Sequence, residues 1–128
     1  MFSIHSTSSR RELIFSAHKD DYFHVELKGF DVSASADVYA YTDAQGLNNL
    51  FQELGHLEKP WQGQRSWASI EQDFSISATC TSLGNVTFNI TLLGLQGAPE
   101  AWRVEVGLVT ELGQLEQIAK DAEIFFNA

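Results

Sequence analysis

Apolar and polar residues alternate with a period of two over most of this chain, and in two stretches the apolar spacing lengthens to the three-and-four of a helix. Glu12 to Ala17 and Tyr22 to Lys28 alternate on either side of Lys19-Asp20-Asp21. Pairing them as a hairpin sets Leu13 opposite Leu27, Phe15 opposite Val25 and Ala17 opposite Phe23, so the apolar match selects the register. A turn around Gly29-Phe30-Asp31 leads into Val32 to Tyr41, where Val32, Ala34, Ala36, Val38 and Ala40 alternate with Ser33, Ser35, Asp37, Tyr39 and Tyr41. The three alanines are small enough to let a helix pack closely on this strand.

Asp43 is the expected N-cap of that helix, and Leu47, Leu50, Phe51, Leu54 and Leu57 follow at helical spacing until Pro60 stops the pattern. Trp61 to Arg65 reads as a loop, and Ser66 to Ile70 as a short extended segment directing Trp67 and Ile70 inward. Phe74, Ile76, Ala78 and Cys80 then alternate with Ser75, Ser77 and Thr79, turn at Ser82-Leu83-Gly84-Asn85, and return as Val86, Phe88, Ile90 and Leu92 alternating with Thr87, Asn89 and Thr91. One apolar and one Ser/Thr/Asn face is the pattern of an antiparallel sheet wetted on one side. After a loop from Gly94 to Pro99, Trp102, Val104, Val106 and Leu108 predict one more strand. A helix is expected from about Glu111, with Leu112, Leu115, Ile118, Ala119, Ala122 and Phe125 on one stripe. The fold class is therefore α+β: a meander-like antiparallel sheet of six or seven strands with two helices packed on one face, in a single domain over residues 1–128.

Composition adds that the chain can fold unaided. Its 128 residues are enough for one core, and nine Phe and three Trp set it apart from disordered chains. The single Cys80 rules out an internal disulfide and fits a reducing, cytoplasmic setting. The N-terminus Met-Phe-Ser-Ile-His-Ser lacks a basic leader, and no run approaches the roughly 20 apolar residues of a membrane span. Asn85-Val86-Thr87 and Asn89-Ile90-Thr91 match the glycosylation pattern but read more simply as strand.

Charge narrows the partners. Seventeen acidic residues against eight basic ones give a net charge of −9, which disfavours nucleic acids and anionic membranes and favours a basic protein. Between Lys28 and Lys59 there is no Lys or Arg, while Asp31, Asp37, Asp43, Glu53 and Glu58 all lie there. The C-terminal segment repeats the bias, with Glu105, Glu111, Glu116, Asp121 and Glu123 against Lys120 alone. Because salt screens charges beyond about 8 Å, such local clusters matter more than the total. Trp61, beside Pro60 and Gly63, has no inward strand position; it is expected either as an exposed anchor for a partner or as a cap on the core under its loop. Asp37, Asp43, Glu53, Glu58, Trp61 and Glu116 are thus the candidate partner-binding residues.

Catalytic signatures are sparse. The register of the first hairpin puts His18 and His24 on one outer face, where they could share a metal or a proton, with Asp20, Asp21 and Glu26 nearby. Cys80 is expected inward without a histidine at an interpretable spacing, and the serines lie in strands rather than in a nucleophile elbow. Glu71 and Asp73 share a strand face, as any two acids on a strand edge can. Scattered glycines form no phosphate cradle, so no cofactor is implied. Ser33, Ser35, Ser75, Ser77, Thr79, Thr87, Asn89 and Thr91 form a polar ladder able to bind a sugar or a polar peptide, or simply to face water.

Gly63-x-x-x-Trp67-x-Ser69-x-Glu71-x-Asp73-Phe74, Gly84-x-Val86-Thr87, Gly113-Gln114-Leu115-Glu116-x-Ile118-Ala119 and the terminal Phe125-Phe126 together resemble a family of small bacterial proteins of unknown function, from about Phe23 onward. The order of elements is also similar to that of the WapI-type immunity proteins, although Glu71-Gln72-Asp73-Phe74 lacks an acid-proline step. That likeness implies a protein that neutralises the toxic domain of a contact-dependent or polymorphic toxin, many of which are nucleases with basic faces. The expectation is a non-enzymatic, monomeric or weakly dimeric cytoplasmic immunity protein that binds a cognate toxin through its acidic surface. The alternatives are a small metal-binding protein or enzyme using His18 and His24, and a polar-ligand-binding module.

Overall fold

A computed structural model describes residues 1–40 and 44–128, the side chain of Ala44 excepted. The fold is α+β, with eight strands in two antiparallel four-stranded sheets and two helices. The first sheet is the meander β1 (Phe2–His5), β2 (Glu12–Lys19), β3 (Tyr22–Gly29) and β4 (Val32–Tyr39). Helix α1 (Ala44–Gly55) leads to the second meander, β5 (Arg65–Ala68), β6 (Phe74–Cys80), β7 (Asn85–Gly94) and β8 (Trp102–Glu111). A short 3₁₀ turn at Leu112–Gln114 then opens α2 (Leu115–Phe126). The strand that sequence patterning does not announce is β1: Phe2-Ser3-Ile4-His5 is too short to show a period, yet Phe2 and Ile4 pair with Phe15 and Leu13 and are buried.

Two sheets rather than one follow from the interruption by α1 and from where the inner faces point. Phe15 and Phe23 of the first sheet meet Phe74 of the second, with ring centroids 5.9 and 6.1 Å apart. Strand β4 comes within contact of β7 of the second sheet, and the half-buried alanines at 34 and 36 pack against the shared core. At the other end α1 lies beside β5 and α2 beside β1, and the two helices pack on each other. Phe51 of α1 and Phe125 of α2 reach Phe2 and Phe15, which joins helices and sheets in one core. Aromatic pairs of this kind add about 0.5–1.5 kcal/mol each beyond their burial.

The helix pair is also tied by amides. Asn48, buried on α1, donates to Glu123 Oε2 at 2.8 Å, and Gln52 Nε2 donates to the Ala119 carbonyl at 2.7 Å and to Asn48 Oδ1 at 3.0 Å. Gly55 faces Ala119, and a Cβ there would overlap it, so the helices approach closely where α1 ends. Helix α1 stops at Gly55, before Leu57, and β8 runs to Glu111, the residue expected to open the last helix. Ile70 is not inward but 64 % exposed, because the β5–β6 turn closes through Ser69, whose Oγ donates to Asp73 Oδ1 at 2.5 Å.

Candidate functional site

The first hairpin holds its expected register through Leu13↔Leu27 and Phe15↔Val25 and then slips. Ala17 and His18 together oppose Phe23, a β-bulge in which Ala17 adopts φ +53°. The expected Ala17–Phe23 pairing is therefore absent, and His18 turns to the inner side, its ring 5.5 and 5.4 Å from those of Phe125 and Phe126 on α2. His24 remains on the outer face, where Nδ1 lies 2.8 Å from Asp37 Oδ1. The bulge thus separates the two histidines that strict alternation would align. Among the described residues no three His, Cys, Asp or Glu side chains gather as a metal site.

The outer faces of the two sheets differ. On the first, Glu12 reaches His5 at 3.2 Å and Lys28 at 3.6 Å, alongside the His24–Asp37 pair. On the second, Ser75↔Thr91, Ser77↔Asn89 and Thr79↔Thr87 form neutral cross-strand pairs, closed at the β8 edge by the Arg103–Glu105 ion pair at 2.7 Å. Ser33 and Ser35 belong to β4, so the polar ladder read as one row is divided between the sheets.

The six candidate partner-binding residues do not form one surface. Asp37 sits on β4, paired with His24 and beside a cleft that also holds Glu71 and Asp73. Glu53 projects from α1 onto Arg65 of β5, which neutralises it. Trp61 is 9 % exposed, so it caps the core and is not an exposed anchor; its indole N–H finds no acceptor among the described residues. A tryptophan in a polar loop has more apolar area to hide than the loop can leave in water, and the chain after Pro60 folds it under. Asp43 lies outside the described residues.

Glu58 and Glu116 are brought together. They line a groove of about 640 Å³ between the end of α1 and the start of α2, which Gln52, Gly55, His56, Leu57, Leu112, Gly113, Ala119 and Lys120 complete. Its apolar lining comes from Leu57, Leu112 and Ala119, which are half-buried or buried, and its two carboxylates belong to exposed residues. Glu116 meets Lys120 at 3.5 Å in a pair exposed on both sides, whereas Glu58 has no ion-pair or hydrogen-bond partner among the described residues. His56, which sequence reasoning passed over, lies 2.6 Å through Nδ1 from the Gln52 carbonyl. A carbonyl oxygen only accepts, so Nδ1 carries the proton and Nε2 is left as the acceptor of the neutral ring. The signal that could have found His56 is its position four residues after Gln52, one helical turn on.

These features define a class: a small two-sheet α+β protein whose helix pair forms an amphipathic, acid-lined groove. The chain belongs to DUF6228, a family of unknown function, whose model matches residues 6–128. No curated protein and no solved structure matches it. Among the described residues no helix is long and apolar enough to cross a membrane.

Proposed function

We propose that this protein is a cytoplasmic immunity protein that captures a cognate toxin domain with a basic surface and blocks it by steric and electrostatic complementarity, with no catalytic step of its own. The observation that carries the reading is the groove: Glu58, just past the end of α1, and Glu116 of α2 line one cleft with Leu57, Leu112 and Ala119 in a chain of net charge −9. A negative field speeds encounter with a positive face, and an apolar lining supplies the area that holds the complex once formed. The similarity in element order to WapI-type immunity proteins supports the same assignment, and the toxin is expected to be a nuclease or another enzyme with a cationic substrate face.

The test is co-expression with the product of the neighbouring upstream reading frame, followed by size-exclusion chromatography and a growth assay. Co-elution together with rescue of the growth defect is expected. The association rate should fall by about tenfold or more as salt is raised from low to physiological strength or above. Separate elution, or rescue that persists when the two proteins do not bind, removes the immunity assignment.

A further inference from the structure

We infer that the groove between α1 and α2 is an anchor site for one arginine side chain of the protein partner. The inference rests on the proposed basic-partner reading and adds which chemical group enters and where. An arginine is amphipathic by atom: three methylenes form an apolar stem and the guanidinium presents planar paired donors. The groove has the same division. The half-buried Leu57 and Leu112 and the buried Ala119 offer the stem apolar contact, and the exposed Glu58 and Glu116 bring carboxylates to the same lining. His56, whose Nδ1 lies 2.6 Å from the Gln52 carbonyl, belongs to the same lining.

Charge decides the sign of the occupant. Glu58 has no cationic partner among the described residues, and the one cation in the lining, Lys120, holds Glu116 across 3.5 Å in a pair whose side chains are 65 % and 76 % exposed. Exposed pairs of this kind contribute about 0–1 kcal/mol, so a bidentate guanidinium displaces or shares that contact at little cost. Lysine delivers a single hydrated point charge, whereas arginine can engage two acceptors at once. Gly113 has no heavy atom within 4 Å of where a Cβ would stand, which leaves the groove open at the start of α2.

The test uses the full chain, ¹⁵N-labelled, titrated with the capped tripeptide acetyl-Gly-Arg-Gly-amide and with the same peptide carrying citrulline, the neutral isostere. The arginine peptide should produce saturable shifts confined to the amides of residues 52–58 and 112–120. Binding should weaken by about tenfold or more with citrulline and in the Glu58→Gln/Glu116→Gln double variant, a loss equivalent to roughly 1.4 kcal/mol. Both positions are exposed, so the variant retains the fold. Shifts spread over the whole acidic surface, equal binding of citrulline, or undiminished binding by the double variant would each overturn the anchor. No toxin is needed for this measurement. Peptide binding without toxin capture would keep the arginine site and remove the immunity reading; toxin capture without peptide shifts would do the reverse.

Discussion

The β6–β7 hairpin keeps one register without interruption from Phe74↔Leu92 to Cys80↔Val86, whereas β2–β3 keeps its register only from Glu12↔Lys28 to Ser16↔His24. Both are built from alternating sequences with a clear apolar match. The difference lies at the turns. In β6–β7 the turn starts with the Thr81 N–H on the Asn85 carbonyl at 2.9 Å and places Gly84 at φ +86°, which is compatible with the pairing that the apolar residues choose. In β2–β3 a two-residue turn at Asp20-Asp21 pairs Lys19 with Tyr22, one residue out of step with Leu13↔Leu27. The core register and the turn cannot both be met by regular strands. The bulge at Ala17-His18 absorbs the extra residue, and it moves His18 from the wet face to the aromatic floor under α2. Local turn geometry therefore decided that the two histidines do not share a face.

The largest test of this contrast is in the cores of the two hairpins. Phe15 of β2 touches the rings of Phe2, Phe23, Phe51, Phe74, Phe125 and Phe126, whereas Phe88 of β7, among the described residues, meets the ring of Phe51 alone. Phe15→Ala is expected at the top of the roughly 3–5 kcal/mol range for such truncations and Phe88→Ala at the bottom. Urea unfolding of both variants measures the gap; equal losses would mean that the first sheet is not the organiser of the core.

A smaller effect separates the turns. Gly29 has φ +104°, and a Cβ there would run into the backbone at Arg10, while Gly84, at φ +86°, has only Leu112 Cβ nearby at 3.7 Å. Gly84→Ala should cost only the left-handed penalty of about 1–2 kcal/mol, and Gly29→Ala distinctly more, since the neighbouring backbone must also move. Thermal unfolding with the order reversed would contradict the tight closure of the first sheet.

The smallest and most specific change concerns the bulge itself. Ala17 sits at φ +53°, where glycine is favoured, so Ala17→Gly should stabilise by about 1 kcal/mol. Ala78→Gly, at a buried and regular position on β6, should instead destabilise. If both substitutions destabilise alike, β2 runs without a bulge in solution and His18 returns to the face of His24.

Most of the architecture could be read from alternation. Seven of the eight strands, both buried helix stripes and the pairings Leu13↔Leu27 and Phe15↔Val25 follow from residue type and spacing alone, because each strand buries one face and a shift of one residue would expose it. The candidate site was legible only as charge. Glu58 and Glu116 stood out as members of acidic runs, but so did Glu53 and Asp37, which the fold spends on Arg65 and His24. Asp37 meets His24 through the β3–β4 register, but Glu53 meets Arg65 through the packing of α1 beside β5, and Glu58 meets Glu116 only where the chain past α1 comes beside α2, contacts that charge alone does not reveal.

The sequence alone determined the class of the fold, most of the inward residues of the regular strands and helices, and the acidic balance, since these depend on local period and on composition. The tertiary structure decided that the strands divide into two sheets, that Trp61 is folded under its loop, that His18 leaves the face of His24 for the rings of α2, and that Glu58 and Glu116 share a groove. Each of those outcomes is a compromise between distant groups competing for one core, which can be resolved only when all of them are in place.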